Sequence, residues 1–113
     1  MRDSGQDLVI ALREQRNLLI DCVNSMKTVG RELAKAEYDY KVALRKEILR
    51  LHIEDQVAWT ACYTLAQGEE HVAELRYKRD FKKSDYEVLV EKINATKLEI
   101  RLLEGEIKQE MTS

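Results

Sequence analysis

The chain has 113 residues and a formal net charge of −2, with 35% charged residues, 6% aromatics, four glycines and no proline. Turn-rich β architectures recruit proline and parallel sheets need long apolar runs, so both are largely excluded. Hydrophobic residues at 44% are too many for a disordered polyelectrolyte, and the charge lacks the positive excess of a duplex-DNA binder. An all-α chain with an apolar stripe and a charged surface remains.

The opening Met1-Arg2-Asp3-Ser4-Gly5 lacks the basic flank and apolar core of a signal peptide. No run approaches 18 apolar residues, so no membrane span is expected. A first helix is predicted over about 6–52. Ser4 with Asp7 resembles a capping pair at its start. Leu12, Gln15, Leu19, Cys22, Met26, Val29, Leu33, Ala36, Tyr40 and Ala43 alternate by three and four, a heptad stripe with one polar interruption. Beyond Tyr40 the stripe passes to Leu44, Ile48 and Leu51. Such a stutter turns the apolar face toward a new partner surface. Gly30 sits in the stripe region, either as a weak point or to admit a close neighbouring helix.

Residues 53–68, IEDQVAWTACYTLAQG, form the connection. Val57, Trp59, Ala61, Tyr63 and Leu65 alternate as in an extended piece. The same stretch also suits one or two helical turns ended by Gly68. Both readings stay open here. The connection holds the only Trp and is too apolar for a plain solvated loop.

A second helix is predicted over about 69–111, with the stripe Tyr86, Leu89, Ile93, Thr96, Ile100, Leu103 and Ile107. Leu98 and Leu102 widen its apolar face, which suggests more than one partner helix. Ser84 to Glu87 fits a capping box, but no glycine or proline accompanies it, so a continuous helix is favoured. Asn94-Ala95-Thr96 matches a glycosylation acceptor in mid-helix and is set aside. The expected architecture is a single domain over 1–113: a long antiparallel helical hairpin, coiled-coil-like. Its thin core predicts a homodimer or higher homo-oligomer, most simply a helical bundle.

Chemistry is scarce. Cys22, Cys62, His52 and His71 stand at no recognised ligand spacing, so neither a metal nor another cofactor is expected. Cys22 and Cys62 read as reduced thiols, consistent with a cytoplasmic protein. No nucleophile stands beside a base, adjacent carboxylates read as solvated helix charge, and no glycine-rich phosphate loop exists. No enzyme is expected, and no catalytic residue is assigned.

The one local charge concentration is Arg76-Tyr77-Lys78-Arg79-Asp80-Phe81-Lys82-Lys83, with five basic residues, one acid and two aromatics. It suits a strand of nucleic acid, or else Tyr77 and Phe81 pack on a neighbouring helix while the charges are solvated. Arg45, Lys46 and Arg50 end the first helix and flank the same connection. Trp59, Tyr63, Arg76, Lys78, Arg79, Lys82 and Lys83 are therefore the expected partner-binding residues, because Trp, Tyr and Arg dominate interface hot spots. Trp59 also admits a bland role, plugging the hairpin end as core.

The segments AEYDYKVALRKEILRL (Ala36–Leu51), LAQGEEHVAELRYKRD (Leu65–Asp80) and INATKLEIRLLEGEIKQE (Ile93–Glu110) carry a resemblance. The chain resembles small uncharacterised helical proteins from replication and recombination regions of temperate phages and integrated elements of Gram-positive bacteria. The resemblance covers about 70% of the chain, from Gly30 to Glu110. The Leu-Ala-x-Gly turn leading to Leu75-Arg76 and Arg79-Asp80 is its distinctive part. The family often has a proline in the connection, where this chain has Val57-Ala58-Trp59. The resemblance implies a phage or mobile-element protein in a bacterial cytoplasm and carries over no catalytic residue. The function it suggests is an interaction protein that modulates or inhibits a bacterial nuclease or host-defence component. The alternatives are a replication or recombination accessory using the basic patch on nucleic acid, and a structural coiled-coil oligomer.

Overall fold

The computed structural model describes residues 4–112. Among them are three helices and no strand: α1 (Ser4–Ile53), α2 (Trp59–Gln67) and α3 (Glu70–Thr112). The all-α class and the hairpin of long helices expected from the stripes are both present. Asp7 lies in the first turn of α1. The side chain of Ser4 falls outside the described residues, and with it the capping pair. α3 runs through Ser84–Glu87 without a break. The residues group into two compact units, one of the chain up to Thr28 with the chain from Glu87 onward, the other Val29–Tyr86.

In the first unit, the beginning of α1 packs against the end of α3. Cys22 is buried on α1 and Ile93, Thr96, Ile100 and Leu103 on α3, all of them stripe positions. Thr96 is tolerated in this core because its hydroxyl donates to the Lys92 carbonyl at 2.7 Å. Arg16 and Glu104 approach to 4.0 Å at the exposed rim.

In the second unit, Ala36 and Tyr40 of α1 and Val72 of α3 are buried. Lys82 reaches Glu32 at 2.9 Å across the same pair of helices. Leu33, a stripe residue, is only half-buried. A methyl placed on Gly30 would stand 3.9 Å from the Tyr86 ring, an ordinary contact. Gly30 is therefore a weak point in α1, and no helix crossing requires it.

The stutter after Tyr40 finds its partner in α2. Leu51, Cys62 and Ala66 form a buried cluster, with Leu44, Ile48 and Val57 packed against it. The connection is thus a turn followed by a helix over Trp59–Gln67. An extended piece would leave its backbone groups without a partner strand, whereas a helix buries Cys62 and Ala66 four positions apart on one face. α2 starts without a side-chain cap at Ala58, and Gly68 closes it by donating to the Leu65 carbonyl at 3.1 Å. The turn before it places Gln56 at φ 57°, left-handed backbone that costs a non-glycine residue about 1 kcal/mol or more.

Candidate protein-docking groove

The last turns of α1 and the outer face of α2 enclose an open groove of about 540 Å³. It is lined by Lys41, Leu44, Arg45, Ile48, Leu49, Trp59 and Tyr63. The stutter creates it: Leu44 and Ile48 are the residues α2 packs on, so the ring-bearing side of α2 hangs over their far edge. Trp59 and Tyr63, four apart, share that side and stay 55% and 56% exposed.

Trp59 is held in place. The ring of His52 stacks on it with centroids 3.6 Å apart and planes inclined by 21°. Nδ1 of His52 lies 2.8 Å from the Val57 carbonyl oxygen, which orients the imidazole. The Cys62 thiol donates to the same oxygen at 3.5 Å. The turn, the ring and the buried cysteine thus meet on one backbone atom. Trp59 is neither core nor free, with one face packed and the other open.

Charge on the groove is one-sided. Arg50 is occupied: Nη2 donates to Glu47 at 2.7 Å and Nη1 to Asp55 at 3.0 Å. Lys41 and Arg45 make no ion pair among the described residues. Two uncompensated cations therefore border the exposed indole and phenol. On the other flank of α1 a second groove, of about 560 Å³, includes Tyr38, Lys46, Glu47, Arg50, Glu69, His71 and Leu75. Its charges are mixed. There the Glu69 carboxylate accepts from the Val72 amide at 2.8 Å, and this bond, with one from His71, holds its pKa below the usual carboxylate value.

The expected site residues divide into two groups. Trp59 and Tyr63 lie together in the groove. Arg76 instead donates to the Gln67 side chain at 2.7 Å, at the far end of α2, about 12 Å along the helix from Trp59. Arg79 bonds Asp80 at 2.7 Å and lies 4.7 Å over the buried Tyr40 ring, while Lys82 pairs with Glu32. Only Lys78 and Lys83 of the basic run are exposed and unpaired. Tyr77 and Phe81 face solvent and stack on each other at 6.5 Å, so the aromatics point outward and Arg79 and Lys82 turn inward. Sequence reasoning noticed Arg45 but missed Lys41, although Lys41, Arg45 and Leu44-Ile48 share the three-and-four spacing of the stutter.

No group of three or more His, Cys, Asp or Glu side chains able to hold a metal ion occurs among the described residues. No helix among them is long and apolar enough to cross a membrane. No protein-family model, curated protein or solved structure matches the chain.

Proposed function

We propose that the chain is a non-enzymatic interaction protein whose α1–α2 groove docks on an acidic surface of a protein partner. The observation that carries this reading is the half-exposed Trp59, held by His52, beside the half-exposed Tyr63 and bordered by the unpaired Lys41 and Arg45. An indole already held in place loses little entropy on binding, and neighbouring cations steer an acidic partner to it. The resemblance to phage and mobile-element proteins supplies the context: a bacterial cytoplasm, and as target a nuclease or host-defence component that presents an acidic surface to the groove.

Affinity capture from a bacterial lysate tests the reading, with the wild type beside a Trp59→Ala/Tyr63→Ala variant. A protein retained by the wild type and lost by the variant, with helicity unchanged, is the expected result. Equal retention by both would overturn it. A second reading, a strand of nucleic acid on α3, draws on the exposed Tyr77–Phe81 stack beside Lys78 and Lys83. Salt-dependent retention on single-stranded DNA, lost on Lys78→Glu/Lys83→Glu, would favour it instead.

A further inference from the structure

The end of α3 carries a second seam that the hairpin leaves unused. Val88, Ala95 and Leu102 repeat every seven residues, and Glu91, Leu98 and Gly105 follow each of them by three. This set lies about 150° round the helix from Ile93, Ile100 and Leu103, the residues buried toward α1. All six are exposed, Val88 by 65%, Leu98 by 54% and Leu102 by 53%. A methyl built on Gly105 would meet nothing within 4 Å.

We propose that this seam pairs with the same seam of a second copy, the two α3 helices running antiparallel about a two-fold axis between Thr96 and Lys97. The sizes and charges in the seam carry the proposal. Antiparallel pairing sets Val88 against Gly105 of the partner subunit and Leu98 against Ala95 of the partner subunit. Each large side chain then fills the space over a small one. Glu91 lies across from Leu102 of the partner subunit, within reach of Arg101 of the partner subunit. On the flanks, Lys92 meets Glu99 of the partner subunit and Glu87 meets Lys108 of the partner subunit. The two-fold axis repeats every pair. None of these six charged side chains makes an ion pair within its own chain among the described residues. The one like-charged approach, Asp85 to Glu106 of the partner subunit, falls at the ends of the overlap, where water and salt screen it.

A parallel pairing also finds opposite charges at its flanks, but it fails inside. It would set Glu91 against Glu91 of the partner subunit in one layer and Gly105 against Gly105 of the partner subunit in another. The first buries like charge and the second leaves a hole. The antiparallel arrangement is self-complementary, as a two-fold interface must be.

Light scattering at tens of micromolar tests the proposal on the intact chain. The wild type should weigh about 26 kDa, twice the 13.2 kDa of one chain, and Leu98→Lys should halve that mass with helicity retained. Glu91→Arg and Arg101→Glu should each loosen the dimer about tenfold, and the two together in one chain should restore it. A 13 kDa wild type, or a dimer that survives Leu98→Lys, overturns the seam. Failure of the double reversal to restore association overturns the antiparallel register, because only that register brings Glu91 to Arg101.

Discussion

The imidazole of His52 lies flat on the indole of Trp59, ring centroids 3.6 Å apart, and joins the end of α1 to the start of α2. His52 is the last residue but one of α1 and Trp59 is the first of α2, so the stack sets the angle at which α2 leaves the turn. The Val57 carbonyl, 2.8 Å from Nδ1, fixes the ring at its edge. A single stacked pair thereby positions the aromatic edge of the groove.

His52→Ala should remove that constraint. An aromatic pair contributes about 1 kcal/mol beyond its buried area, so a small loss of stability is expected. The diagnostic change is spectroscopic, because Trp59 is the only Trp of the chain. Its near-ultraviolet circular dichroism should collapse while the far-ultraviolet helical signal persists. An unchanged near-ultraviolet band would show that the stack does not order Trp59.

Ile93 and Ile100 are buried in the unit made of the chain up to Thr28 and the chain from Glu87 onward. Replacing either with alanine should cost about 2–5 kcal/mol. Leu33 is half-buried, so Leu33→Ala should cost less than either. Chemical denaturation of the three variants orders them. Equal losses at all three positions would contradict the observed burial.

Gly30→Ala should stabilise the protein by about 1 kcal/mol, the difference in helix propensity, since the added methyl meets only the Tyr86 ring at 3.9 Å. A higher melting temperature is the expected outcome. A lower one would mean that the space beside Gly30 is needed.

Glu69 caps the start of α3 through the Val72 amide, and its pKa lies below the ordinary value. A depressed folded-state pKa stabilises above the unfolded-state pKa, and the effect fades as pH falls through the folded-state value. Glu69→Ala should therefore lower the melting temperature at pH 7. The gap to wild type should close in the acid range, where the carboxylate of the wild type is itself protonated. A gap independent of pH would point to lost packing instead of a lost charge-assisted bond.

The helices and their buried stripes were legible because a three-and-four repeat admits no other buried arrangement over so many residues. Even the stutter at Leu44 was readable, as a face in need of a partner, although α2 as that partner was not. Val57 to Leu65 satisfies a two-residue and a 3.6-residue period at once. Only the packing of Cys62 and Ala66 on Leu51 selects the helix. Of the candidate residues, Trp59 and Tyr63 could be grouped from composition, since they had no stripe to join. The surroundings of the basic run could not be read that way. Arg79 and Lys82 are drawn inward by Tyr40 and by Glu32, the latter 50 positions away, and such cross-helix partners depend on a register that neither helix reveals alone.

The docking claim is tested most directly by the affinity of the captured partner for three forms of the chain, measured by titration calorimetry. These are the wild type, Lys41→Glu/Arg45→Glu in the groove, and Lys78→Glu/Lys83→Glu on α3. All four lysines and arginines are exposed and carry no ion pair among the described residues, so neither double change should disturb the fold. Docking in the groove predicts at least a roughly tenfold loss of affinity for the first pair, about 1.4 kcal/mol, and little change for the second. Full affinity of Lys41→Glu/Arg45→Glu, with the loss falling on Lys78→Glu/Lys83→Glu, would contradict it and move the interface to the outer face of α3.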